Sequence, residues 1–266
     1  MFPMPRRLLP VPMLLSFILV PLWSQAAVDR CDHLVAIGAG ERPPYLWEVD
    51  GEPAQGASVH LVQRLAKELG VTVEILAADT LAQAEDDVIS GRADLLIDAQ
   101  QRPDVSAGLD LLHPPLHQAP VVAWAARHRA FAYQHWEDLL GLRGVRIDAA
   151  EQGMEEIVAP LQLGEAMDLT QAVTGVLNGQ SDYFLYEQPA GQAAALGRNW
   201  ADQVQVLLPP VYYRPHYLAL SHSSACNSPR LRERLVAALQ RMEAEAVSGP
   251  LLRQQVQHWF GRQVVD

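Results

Sequence analysis

Chemistry has few places to reside in this chain. Nine histidines are spread through 266 residues, and none falls into a His-Glu-x-x-His or paired Cys/His spacing that would set metal ligands on one element. His113 and His117 lie four apart, but Pro114 and Pro115 between them argue against one helical face. His216 and His222 are dispersed. There is no Gly-x-Ser-x-Gly elbow and no phosphate-cradling loop. Neither Cys31 nor Cys226 has a histidine partner implied by any motif. These patterns predict no metal, no cofactor and no catalytic residue. What remains are polar and aromatic groups on stiff loops. Arg42-Pro43-Pro44-Tyr45 is held extended by its prolines and presents Tyr45 and Trp47 beside it. Asp98 and Glu187 each follow a short apolar run.

Those loops need elements to position them. Residues 34–37 read as a buried strand and 71–76 as an alternating, β-branched one. Between them Leu61, Val62, Leu65, Ala66 and Leu69 recur at helical spacing, with Ser58 as the expected cap and Gly70 as the stop. A second helix over 81–90 ends at Gly91, and 93–97 is a third strand. The alternation β-α-β-α-β implies a parallel sheet covered by helices, with ligands meeting the loops past the strand ends, here 38–45, 77–80 and 98–103. Pro114, Pro115 and Pro120 punctuate the next stretch. Strands are expected at 121–125, 145–147, 183–186 and 217–220, and helices at 169–178, 229–246 and 251–260. Pro209-Pro210 is expected to close a unit. Val88-Ile89-Ser90-Gly91-Arg92-Ala93-Asp94 matches Val176-Leu177-Asn178-Gly179-Gln180-Ser181-Asp182 in kind, which suggests two similar α/β domains.

Composition bounds the class. The chain is 49% apolar with 20 basic and 31 acidic residues, a formal charge of -11. It is too apolar for a disordered chain, and too acidic to neutralise a nucleic-acid backbone. Arg6 and Arg7, the apolar run 13–20 and Ser24-Gln25-Ala26 read as a secretory signal peptide over 1–26. Its removal leaves 240 residues, with 18 basic against 31 acidic, or -13. No other stretch is long and apolar enough to span a bilayer. In an oxidising compartment Cys31 and Cys226 either pair or stay as two buried thiols.

In order along the chain, Pro43-Pro44-Tyr45, Gly51 and Gly56, Glu68-Leu69-Gly70, Ser90-Gly91-Arg92-Ala93-Asp94 and His113-Pro114-Pro115 are followed by Trp136-Glu137-Asp138-Leu139, Asn178-Gly179-Gln180-Ser181-Asp182, Tyr217-Leu218-Ala219-Leu220 and Trp259-Phe260-Gly261. Over residues 32 to 261 the chain resembles family 3 extracellular solute-binding proteins, the polar amino-acid-binding type associated with ABC uptake. Around Ser224-Ala225-Cys226-Asn227 it resembles a divergent branch found in pseudomonads.

The resemblance implies the type II periplasmic-binding-protein architecture, two α/β lobes joined by strand crossings near 116–120 and 211–217, with a ligand in the interlobe cleft. Lobe 1 would be discontinuous (27–117 plus 216–266) and lobe 2 would be 118–215. It implies a monomeric periplasmic protein that binds a small polar or amino-acid-like solute and serves an inner-membrane ABC permease or a sensor receptor. A cyclohexadienyl dehydratase-like enzyme, using Asp98 or Glu187 as an acid, is the catalytic alternative. The carried-over ligand residues are Tyr45 as a wall, Leu81 at a second wall position where relatives often have an aromatic, Arg102 with Asp98 beside it for a carboxylate, Gly153 for close backbone approach, and Glu187 with its neighbour Tyr186 for an ammonium. Arg is suited to that task because its rigid fork takes a carboxylate through two bonds.

Overall fold

The computed structural model describes residues 31–49, 52–101, 108–129, 131–147 and 154–263. The chain runs β1 (His33–Ala39), β2 (Glu41–Arg42), β3 (Leu46–Trp47), α1 (Ala57–Leu69), β4 (Thr72–Ala78), α2 (Leu81–Ile89), β5 (Leu95–Ala99) and β6 (Leu109–Ala126). It continues β7 (Gly144–Arg146), α3 (Glu155–Val158), β8 (Gly164–Glu165), α4 (Leu169–Asn178), β9 (Tyr183–Glu187), α5 (Gln188–Gly197), β10 (Val204–Ser221), α6 (Pro229–Ala244) and α7 (Ser248–Gln263). One sheet has the order β4-β1-β5-β10-β6-β9-β7-β8. Its two ends are parallel, β4-β1-β5 and β9-β7-β8, as the strand–helix alternation predicts.

Between the parallel ends lie two 18-residue antiparallel strands, β6 and β10. Here the sequence reading is corrected. Pro114, Pro115 and Pro120 were read as punctuation and Pro209-Pro210 as the close of a unit, yet all lie inside these strands, as does Pro215. The pairing gives the reason. β9 takes up the far edge of β6 only at Val121–Trp124, and β5 meets β10 only from Tyr217 onward. Pro114-Pro115 and Pro209-Pro210 fall at the two register shifts of the β6–β10 pair, where no residue is matched across the ribbon, and Pro120 and Pro215 fall where β6 and β10 have each other and no further neighbour. A missing N–H costs no ladder bond on such an open edge. The crossings expected at 116–120 and 211–217 are the middle of this ribbon.

Each end of the sheet has its own core. In the first lobe Leu61, Val62, Leu65 and Leu69 of α1 and Leu231, Leu235, Leu239 and Met242 of α6 bury against Leu34, Ala36, Leu95 and Ile97. The opposite face packs Ala84 and Val88 of α2 on Ile37, Leu96 and Ala219. In the second lobe Ala172, Val173 and Val176 of α4 cover Val122, Trp124 and Phe184, while Val121, Ala123, Tyr183 and Leu185 fill the other face. Cys31 and Cys226 form a disulfide with a Cα–Cα distance of 5.5 Å, so of the two alternatives left by the sequence the structure has the bond. α7 is longer than the helix expected at 251–260 and packs on α5. Trp259 anchors it, donating from Nε1 to the Ala193 carbonyl and meeting Trp47 edge-on at 5.5 Å. Its neighbour Phe260 is 45% exposed. Among the described residues no helix is long and apolar enough to cross a membrane.

Candidate functional site

The loop after β1 is built around Tyr45. Its backbone N–H bonds back to Arg42, and its carbonyl and that of Pro44 receive the N–H groups of Ser58 and Ala57 at the start of α1. Gly56, at φ +128°, has no Cβ because one would collide with the Tyr45 backbone. Gly56, and not Ser58, is therefore the residue that caps α1. Ser58 lies inside the helix and uses its hydroxyl elsewhere. It donates to Asp98, with Oγ 2.8 Å from each carboxylate oxygen.

Asp98 sits near the end of β5 in the left-handed region, φ 59°, a conformation that is costly for a non-glycine residue and is tolerated best by Asp and Asn. Its Oδ1 also lies 2.8 Å from His117 Nε2. Glu187, at the end of β9, is met by three donors. Tyr45 donates to Oε2 at 2.5 Å, Arg214 to Oε1 at 2.8 Å, and His216 Nε2 lies 3.1 Å from Oε1. His117 and His216 are direct partners in the β6–β10 register. Their rings stack at 4.6 Å, and Tyr45 stacks on His117 at 5.0 Å. Asp98 and Arg214 are 5% exposed and the other members of the cluster less.

Burial alone would push both carboxyls up. For Asp98, His117 outweighs it by charge and hydrogen bond, with His216 and Arg42 adding to the effect, so the carboxyl is held below its usual range. For Glu187, His216, Arg214 and Arg42 hold it well below. Burial lowers His216 itself, against the pull of Glu187. Around the two carboxylates stand the guanidiniums of Arg214 and Arg42 and the two stacked imidazoles.

The geometry limits the chemistry. Ser58, His117 and Asp98 touch, but Ser58 and Asp98 share the same nitrogen of His117, while among the described residues its Nδ1 has no partner. A serine–histidine–acid relay needs both ring nitrogens in line, so Ser58 is not activated here. Asp98, His117 and His216 bring one ligand-type atom each within 4.8 Å of one another, a group that spacing along the sequence does not reveal. Its one acid, Asp98, is already matched by Ser58 and His117, and a dication would add positive charge beside Arg42 and Arg214.

The structure thus brings Tyr45, Asp98 and Glu187 into one cluster. Tyr186 is half-buried beside it, in the packing of the second lobe. Leu81 opens α2 and packs against Ala78 and Ala84 in the first lobe's core. Arg102 and Gly153 lie outside the described residues. Sequence reasoning missed Arg42, Ser58, His117, Arg214 and His216. The two histidines are 99 positions apart, and only strand register joins them; Ser58 was assigned to a cap.

No protein-family model matches the sequence, and no curated protein matches it. Solved structures do. Substrate-binding domain 2 of Lactococcus lactis GlnP, in an open conformation, is similar at TM-score 0.64 and 16% identity over 86% of this chain and 97% of that one. An amino acid ABC transporter substrate-binding protein of Streptococcus pneumoniae, bound to L-arginine, is similar at 0.60 and 18% identity, covering 88% and 98%. The periplasmic VFT2 domain of Bordetella pertussis BvgS gives 0.61 and 17%, covering 86% and 93%. The fold is that of the type II periplasmic binding proteins. In this type II fold β6 and β10 are the hinge strands. The cluster lies where they cross, with Tyr45, Ser58 and Asp98 reaching in from one lobe and Glu187 from the other.

Proposed function

We propose that the protein captures a small polar or amino-acid-like solute between its lobes and delivers it to an inner-membrane ABC permease. The observation that carries this reading is the meeting of Tyr45 and Glu187 across the cleft, 142 positions apart and both buried. Groups from the two lobes that bond to one another can part and re-form around a guest, and closure then buries it. The similarity to amino-acid-binding structures supports the solute class. The reading places residues 1–26 as a cleaved signal peptide and the mature chain as a periplasmic monomer, in keeping with the disulfide. It divides the chain into lobe 1 (27–117 plus 216–266) and lobe 2 (118–215), with the likeness around Ser224–Asn227 pointing to a pseudomonad branch. Tyr45, Asp98, Glu187 and Tyr186 belong to the ligand wall, with Arg102, Gly153 and, at the margin, Leu81.

A thermal-shift screen of the mature protein against amino acids, polyamines and organic acids tests it. Saturable stabilisation by one class is expected, at about 2.7 kcal/mol when ligand is a hundredfold over Kd. Flat melting curves across all three classes would overturn it, and consumption of a stabilising ligand would move the protein to the enzymes. Delivery to a sensor receptor is the second reading, supported by the similarity to a histidine kinase sensor domain, at TM-score 0.60 and 19% identity. Co-purification with a permease or with a receptor separates the two.

A further inference from the structure

Next to the cluster, a recess of about 510 Å³ opens between the lobes. One wall is the loop of Arg42, Pro43 and Trp47. The other is formed by Thr170 at the start of α4, by Tyr186, and by the alanines of α5. The volume falls in the range of small-molecule sites. Arg42 is half-buried here, with its guanidinium 5.9 Å from the Tyr45 ring centre. Among the described residues it makes no hydrogen bond and no ion pair, although Glu187 and Asp98 are close enough to sustain its charge. Its partner in the cluster, Arg214, bonds Glu187 directly. A guanidinium carries five N–H donors in a fixed fork, and leaving them unmet at a half-buried position is costly. On the same wall the indole N–H of Trp47 is buried without an acceptor.

Charge is graded along the recess. Inside stands Arg42; at the rim stand three acids, Glu41, Glu48 and Asp168, and one cation, Arg198, which bonds Thr170, all four exposed. An anion alone would meet the rim acids on entry, and a cation alone would meet Arg42. A zwitterion satisfies both ends and adds no net charge beside the cluster.

We propose that Arg42 takes the carboxylate of a zwitterionic, amino-acid-type solute in this recess, with the solute's cationic end turned to the rim acids. This rests on the solute-capture reading and sharpens it. Arg42 sets specificity by discriminating a carboxylate from an amide, and the rim discriminates against a second carboxylate. A charge-assisted, two-bond contact corresponds to roughly ten- to hundredfold in affinity.

Calorimetric titration of the purified protein tests this, using neutral amino acids, their primary amides, acidic amino acids and simple amines. Neutral amino acids should bind at least tenfold tighter than their amides and than acidic amino acids. Arg42→Gln should lose that preference for the acid over the amide, and Arg42→Lys should retain part of it, because it keeps the charge and loses the fork. If Arg42→Gln does not fold by circular dichroism, Arg42→Lys decides: unchanged affinity for the neutral amino acid, within twofold, overturns the proposal. Tight binding of amino acids that Arg42→Gln leaves intact overturns it too, while solute capture stands. Binding of amines alone does the same. If no solute in the panel binds, the Arg42 proposal falls, and solute capture falls with it only if polyamines and organic acids also leave the melting curve flat.

Discussion

The two lobes contain the same short device and use it differently. In the first, α2 ends at Gly91 in the left-handed conformation, and Asp94 follows. The Asp94 backbone N–H bonds to the Val35 carbonyl while its carboxylate accepts the Val35 N–H at 2.8 Å. In the second, α4 ends at Gly179, also left-handed, and Asp182 makes the same reciprocal pair with Arg143. Each device launches a five-residue strand with an acid at or near its far end, Asp98 on β5 and Glu187 on β9. From there the lobes diverge. Asp94 is locked further by Ser224 and lies near the disulfide, whereas Asp182 pairs with the largely exposed Arg143 guanidinium. Asp98 is held by a hydroxyl and an imidazole, Glu187 by a guanidinium, a phenol and an imidazole. Local sequence can specify how a strand begins. What its terminal acid does depends on residues the rest of the chain brings.

Substitutions can break or sharpen that contrast. The largest loss should come from Glu187→Gln, which removes the buried carboxylate that Tyr45, Arg214 and His216 all bond and costs about 3–5 kcal/mol, seen as a fall in chemical-denaturation midpoint. Replacing Cys31 and Cys226 together by Ser should cost about 2–4 kcal/mol; an equal loss on reducing the wild type checks it. Asp98→Asn removes a carboxylate bonded only to Ser58 and His117, so about 1–3 kcal/mol is expected. A loss as large as that of Glu187→Gln would erase the distinction between the two acids. Asp94→Asn should fall in that same range, and Asp182→Asn under about 1 kcal/mol because its partner is solvated. Equal effects at 94 and 182 would make the devices equivalent.

Acid gives the gentlest test. His216 is held below its usual range, so the unfolded chain takes up its proton first. Stability is therefore full above about pH 6.5 and declines as pH falls below it. Asp98 and Glu187, held low, add a second decline as pH falls from about 4 through their folded values. Melting temperature against pH should show both stages, and His216→Asn should flatten the first.

Much of the fold was legible. Helical spacing in α1, α4 and α6, the glycine stops and the Asp94/Asp182 match all carry local information that survives in the folded chain. Tyr45 and Glu187 were legible through stiff loop and strand end. The prolines misled, because a proline's effect in a strand depends on whether that edge is paired, and pairing is not local. His117, His216 and Arg214 were invisible for the same reason, since nothing in His-Gln-Ala-Pro or Arg-Pro-His tells that the two segments lie opposite. Arg42 was in view within its Pro-Pro loop, but its want of a partner is a property of the folded surroundings alone.

The bridge from Cys31 to Cys226 joins residues separated by 195 in sequence and encloses every element from β1 to β10. Any single proteolytic cut between those positions opens a ring without releasing a fragment. A nicked oxidised chain therefore keeps its full mass on a gel run without reductant and divides in two only when thiol is added.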